Sequence, residues 1–222
     1  LIDEAVEQAL RAGHLDVAAN LVQNLSEEQL LAEQNIGMLL RWKMDLPDSL
    51  LISTPRLIVL YSWALGLACQ LDAAQELSSY LSRFLPAPSA TAQKSMLAQW
   101  LALSGIIARG RGDRELTQRY CQEALESLPQ KRYGQRLMCL STLSNLAIVD
   151  ADLWRARGLN RESLELAQRV GNPLFEALAH YDRARVLQAR GEILRSLDEV
   201  RQGLERLHGL APQRLYAVRA RL

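Results

Sequence analysis

The sequence predicts an all-α fold, a right-handed superhelix of antiparallel helical hairpins, that is, an α-solenoid. Three observations predict it. First, Gly13, Cys69, Gly112, Ala151 and Gly191 each separate two helical patterns, at intervals of 56, 43, 39 and 40 residues. A period in this range marks helical-pair repeats. Second, small residues recur at fixed offsets from these turns. Ser62, Gly105, Ser144 and Ala184 lie seven residues before the last four turns. Ala18, Ala74, Thr117, Ala156 and Ser196 lie five residues after all five, and Ala124, Ser163 and Gly203 twelve after the last three. Small side chains let paired helices approach closely. Pro86 and Pro129, seventeen residues after the second and third turns, end the second helices. Third, no segment alternates with period two for long enough to form a strand. Leu, Ala, Arg, Glu and Gln dominate, and all are good helix formers.

The elements follow in order. Residues 1–12 and 15–24 make a first helical pair around Gly13, with Val6, Leu10, Val17, Leu21 and Val22 at helical spacing. Ser26 begins a short third helix, with Gln29 completing a capping box. A fourth helix covers 36–44. Asp45-Leu46-Pro47-Asp48 reads as a turn by composition. Thr54 and Pro55 start the next helix as cap and first residue. It runs to about Cys69, and 72–85 pairs with it. Pro86-Ala87-Pro88 is the best place for a subdivision, near 86–90, of an otherwise single domain over 1–222. Beyond it, 91–109 pairs with a helix capped by Asp113, 132–150 with 153–170, and 174–190 with 192–208. A further helical pattern, 212–222, reaches the end of the sequence. Both ends look truncated. An array cut in this way exposes apolar edges, with Leu215, Val218 and Leu222 as candidates, so self-association is expected.

Apolar residues make up 49% and charged residues 23%, which fits a sizeable core and excludes disorder. The net charge of +1 gives no bulk case for nucleic acid or an anionic membrane. The charge is uneven: residues 1–108 hold 6 basic and 11 acidic groups, residues 109–222 hold 20 and 14. Solvated helix faces explain this most simply; a polar seam docking other domains of the same polypeptide is the sharper alternative. In the Arg-rich C-terminal half, acidic residues interleave at spacings that pair across helix turns, so surface ion pairing is preferred to nucleic-acid binding. Cys69, Cys121 and Cys139 lack metal-type spacing and read as reduced core fillers in a cytoplasmic protein. No stretch is long enough for a membrane span.

The segment from Trp42 to Ala74 is more specific than a generic repeat. It reads Trp42-Lys43-Met44-Asp45-Leu46-Pro47, then Leu50-Leu51, Pro55-Arg56-Leu57, Trp63-Ala64-Leu65 and Leu71-Asp72-Ala73-Ala74. This resembles a segment of the large ATP-binding LuxR-type transcriptional regulators of bacteria. The stretch from Glu4 to Asp16 is similar to the helical pair that opens the same domain. From 91 to 208 the likeness is only to tetratricopeptide-like repeats. The resemblance implies a central superhelical sensor arm. Such an arm receives a small-molecule inducer or a regulatory protein and couples it to oligomerisation and transcription activation. It also implies an ATP-binding domain upstream and a helix-turn-helix domain downstream. The chain itself has no G-x-x-x-x-G-K-[ST] loop and no helix-turn-helix signature, so no cofactor and no DNA contact are expected of it. A free-standing tetratricopeptide-like scaffold gripping a peptide or protein is the alternative.

No catalytic constellation stands out. His14, His180 and His208 have no partner at metal-ligand spacing, there is no G-x-S-x-G elbow, and no carboxylate pair is marked out. The Gly110-Arg111-Gly112-Asp113 segment reads as an inter-helix turn rather than a phosphate site. The chain therefore reads as a non-enzyme. Trp42 and Trp63 are expected in the core, and Trp42, Pro47, Pro55, Trp63, Gly112 and Gly191 as structural landmarks. The first helix of each pair tends to line the concave side of such arrays. On that geometry Trp100, Tyr133, His180 and Tyr181 are candidate groove residues, against the plainer reading of core or idle surface.

Overall fold

The computed structural model describes residues 2–25 and 36–208, and every regular element among them is helical. The helices are α1 (Ile2–Arg11), α2 (Leu15–Gln23), α3 (Ile36–Asp45), α4 (Asp48–Leu51), α5 (Pro55–Leu67) and α6 (Leu71–Ser79). After a 3-10 turn, Tyr80–Phe84, come α7 (Ala90–Gly110), α8 (Arg114–Ser127), α9 (Tyr133–Val149), α10 (Leu153–Val170), α11 (Pro173–Ala189) and α12 (Ile193–Arg206). The expected helix after Ser26 and the pattern over 212–222, with Leu215, Val218 and Leu222, lie outside the described residues.

The five predicted turns share one backbone device. Gly13, Cys69, Gly112, Ala151 and Gly191 all have positive φ, between 59° and 78°. The N–H of the following residue donates to a carbonyl five positions back: His14 to Ala9, Gln70 to Leu65, Asp113 to Ala108, Asp152 to Ala147 and Glu192 to Leu187, all at 2.9–3.0 Å. This satisfies carbonyls that a helix end would otherwise orphan. Caps set the starts: Thr54 Oγ1 accepts from Leu57 N at 3.3 Å, Asp113 Oδ1 from Leu116 N at 3.0 Å and Asp152 Oδ1 from Arg155 N at 3.0 Å.

The small residues occupy the hairpin contacts. Ala18, Ala74, Ala156, Ser62 and Ser144 are fully buried, and Thr117, Ala184, Ala124, Ser163 and Gly203 are buried too. In the two last hairpins the −7 and +5 positions bond directly. Ser144 Oγ donates to Ala156 O at 3.2 Å, and Ser196 Oγ donates to Ala184 O at 2.9 Å. At Gly105 a Cβ would fall 2.5 Å from Cys121 Sγ, so only glycine permits this approach of α7 and α8.

Consecutive helices pair as α1/α2, α5/α6, α7/α8, α9/α10 and α11/α12. The first helices also stack on one another, α5 on α7, α7 on α9 and α9 on α11. The second helices α6, α8 and α10 pack on the first helix that follows. One apolar core runs through these contacts from Val6 to Ala179, with Trp42 and Trp63 buried in it at 1% and 3% exposure. Polar links tie neighbouring pairs: Asn160 Nδ2 donates to Ala179 O at 2.9 Å, and Arg111 Nη2 to Asp72 Oδ1 at 2.5 Å. In the Arg-rich half, Arg195 pairs with Glu192, Arg201 with Asp198, Arg183 with Glu199 and Arg206 with Glu176.

Three elements differ from the sequence reading. The helix expected over 72–85 ends at Ser79 and tightens into the 3-10 turn. The hydroxyls of Ser78, Ser79 and Ser82 donate to the carbonyls of Gln75, Glu76 and Ser79 at 2.6–2.9 Å, and serine competes with the helix backbone in this way. The turn after Pro47 contains a one-turn helix, α4. Cys69 is exposed in a left-handed turn rather than filling core, unlike the buried Cys121 and Cys139. The 56-residue first interval is long because α3 and α4 are inserted in it; α3 packs on α1 and α5. Across the segment around Pro86, α7 packs on both α5 and α6.

Candidate functional site

The stacking of first helices creates a cavity of about 400 Å³. Its wall comes from α5, α7, α9 and α11, with Cys69 of the α5–α6 turn, Leu71 of α6 and Ser163 of α10. The register of the hairpins explains which side chains face it. Position −7 packs on the partner helix, so position −6, about 100° further round the helix, faces elsewhere. Ile106, Asn145 and Arg185 are the −6 residues of three successive pairs, and all three line the cavity.

The wall is divided. Leu137 and Met138 on α9 and Phe175 and Leu178 on α11 supply apolar surface. One to two turns further along the same helices come Ser141 and Asn145, and Asp182 and Arg185, with Arg109 near the C-terminus of α7. Asp182 is 3% exposed. Asn145 Nδ2 donates to Asp182 Oδ1 at 3.2 Å and to Ser141 O at 2.7 Å. Burial raises the Asp182 carboxyl above its ordinary value, against hydrogen bonds from Ser141 and Asn145 and the charges of Arg185 and Arg109. Arg109 Nη1 donates to Thr142 Oγ1 at 3.3 Å, and the Arg185 guanidinium lies 5.9 Å from the Tyr181 ring centre. Asn145 is 8% exposed, and its Oδ1 is buried with no hydrogen-bond partner.

The four candidate groove residues are not gathered at one point. Tyr181 lines the cavity. His180 is buried in the α11–α12 contact, where its Nδ1 lies 2.8 Å from Glu199 Oε2. Tyr133 packs edge-on against Phe175, a cavity residue, at 6.0 Å. Trp100 packs edge-on against Tyr120 of α8 at 5.7 Å. Trp154, on a second helix, is 87% exposed. The residues that sequence reasoning missed are Arg109, Asn145, Asp182 and Arg185. A search restricted to aromatic and His residues on first helices passes over them; the −6 offset from the turns finds two. Among the described residues no group of three or more His, Cys, Asp or Glu side chains is placed to hold a metal, and no helix is long and apolar enough to cross a membrane.

Among the described residues every regular element is helical, and the divided cavity is walled by successive hairpins; the relatives this architecture can be set beside are regulators. The chain is similar to the HTH-type transcriptional regulator MalT of Klebsiella pneumoniae subsp. pneumoniae and to that of Klebsiella pneumoniae strain 342. Each is 25% identical over 166 residues, which make up 75% of this chain and 18% of the relative. This likeness supports a MalT-like relationship and a regulatory role. No protein-family model and no solved structure matches the chain.

Proposed function

We propose that the chain is the signal-sensing arm of a MalT-like, LuxR-type transcriptional activator. In this reading the helical pairs form a tetratricopeptide-like, right-handed superhelix, and the cavity on its inner wall takes a small-molecule inducer. The arm performs no bond chemistry. ATP and DNA belong to other domains of the full-length protein, which is cytoplasmic and bacterial. The observation that carries the reading is the origin of the cavity wall in four successive first helices. The shape of such a cavity depends on how the hairpins stack, so an occupant favours one stacking over another. That preference is the quantity a sensor must transmit to oligomerisation.

Thermal melts of the 222-residue chain with sugars, amino acids, nucleosides and organic acids test it. A ligand that binds only the folded chain raises the midpoint in proportion to its saturation. The effect is expected to vanish in Met138→Trp, which fills the cavity, while helical circular dichroism is kept. A panel without any binder, or a binder indifferent to Met138→Trp, overturns the reading.

A further inference from the structure

Each second helix has a face that the next helices cover, and its offset from the turn is constant. Nine residues after the first four turns stand Val22, Ser78, Cys121 and Asn160, all buried at 0–3% exposure. The last two meet the residue that lies six after the start of the following first helix. The Cys121 thiol meets that of Cys139 on α9, and Asn160 Nδ2 donates to Ala179 O on α11. Four residues further along α8, Leu125 O accepts from Arg136 Nη1 at 2.8 Å, three residues after the start of α9. On α12 the same two offsets hold Val200 and Leu204, and both are only half-buried. Leu197, one turn nearer the start of α12, is 49% exposed. Uncovered apolar surface at a repeat joint is what a further repeat removes from water.

The sequence after α12 matches this face. Pro212 follows the Gly191 turn by 21 residues, as Tyr133, the first residue of α9, follows Gly112. In the helical pattern over 212–222, Leu215, Val218 and Leu222 share one face, with Arg214, Arg219 and Arg221 to either side of it. We propose that residues 212–222 dock on α12 as the first helix of a sixth hairpin, with Val218 on Val200, Leu215 on Leu204 and Leu222 near Leu197. Any second copy of the chain must displace an occupant tethered five residues from the end of α12, whose effective concentration is on the order of millimolar. The docked helix carries the stack of first helices one step beyond α11, and its docking does not depend on whether the cavity holds a ligand.

Disulfide trapping in the whole chain tests the register. In a Cys69→Ser background, Val200→Cys is combined either with Val218→Cys or with Ala220→Cys, and each chain is oxidised with glutathione disulfide. The pair with Val218→Cys is expected to close a bridge within the chain about tenfold or more faster than the pair with Ala220→Cys, which lies about 200° round the helix from 218. In the parent chain, Val218→Asp is expected to speed hydrogen exchange of the α12 amides about tenfold and to leave the α9 amides unchanged. Equal trapping at 218 and 220, no trapping at 218, bridges between chains in place of bridges within them, or α12 exchange indifferent to Val218→Asp overturns the proposal.

Discussion

Asp182 is the one acidic side chain on the cavity wall, and its contribution to stability changes with pH. Burial holds its carboxyl above the ordinary value despite Ser141, Asn145, Arg185 and Arg109. The folded chain therefore binds this proton more tightly than the unfolded chain does. The stability that follows is fully present below the unfolded value, about 3.9 for aspartate, and is lost as pH rises through the folded value. By neutral pH the unfolded chain has released this proton, so the buried carboxyl is a net cost to folding. Asp182→Asn, which keeps an oxygen to accept from Asn145 and Ser141, is expected to melt higher than the parent at neutral pH. The advantage should shrink toward zero below about pH 3.9. Melting curves across that range check it, and an advantage that grows on acidification contradicts it. None of this was legible in the sequence, where Asp182 is one of 25 acidic residues and only its neighbours on α7 and α9 make it unusual.

Between elements, the spacing of small residues was legible in full, because a hairpin repeats the same contact at the same offset from its turn. The offset does not say how close the approach is. Gly105 meets Cys121 so tightly that Gly105→Ala is expected to destabilise by about 1–3 kcal/mol, since neither a short side chain nor helix backbone can give way. Gly158 lies in α10 with nothing within 4 Å of a built Cβ. Gly158→Ala is expected to stabilise by about 0.5–1 kcal/mol, as alanine does in a helix interior. Denaturant melts of the two variants should move in opposite directions. The end of α6 was not legible for the converse reason. Apolar periodicity continues to Leu85, while the serine hydroxyls that close the helix early leave no mark on that pattern. The candidate site divided in the same way. Tyr181 was reached from its place on a first helix, whereas His180, adjacent in sequence, turns about 100° away into Glu199.

Across the molecule, stability rests on contacts between successive helices. α9 packs on α7, α8, α10 and α11, whereas α12 packs chiefly on α11. In arrays of this kind local opening follows the number of neighbours. Hydrogen exchange read by mass spectrometry is expected to show α9 amides as among the slowest and α12 amides as clearly faster. Uniform protection from α5 to α12 would mean one cooperative block instead. The stacking order was legible from the turn intervals, but the cavity was not, because its wall joins residues 66 to 185 that only the stacking brings together.

The offsets −7 and −6 separate two jobs along each first helix. Gly105, Ser144 and Ala184 close hairpins, while Ile106, Asn145 and Arg185, one residue later, face the cavity. Exchanging the second set is expected to redraw the chemistry of the cavity wall while the hairpin contacts made by the first set are kept. The lining of the cavity is therefore open to change, position by position, while the neighbouring residues that close the hairpins are kept.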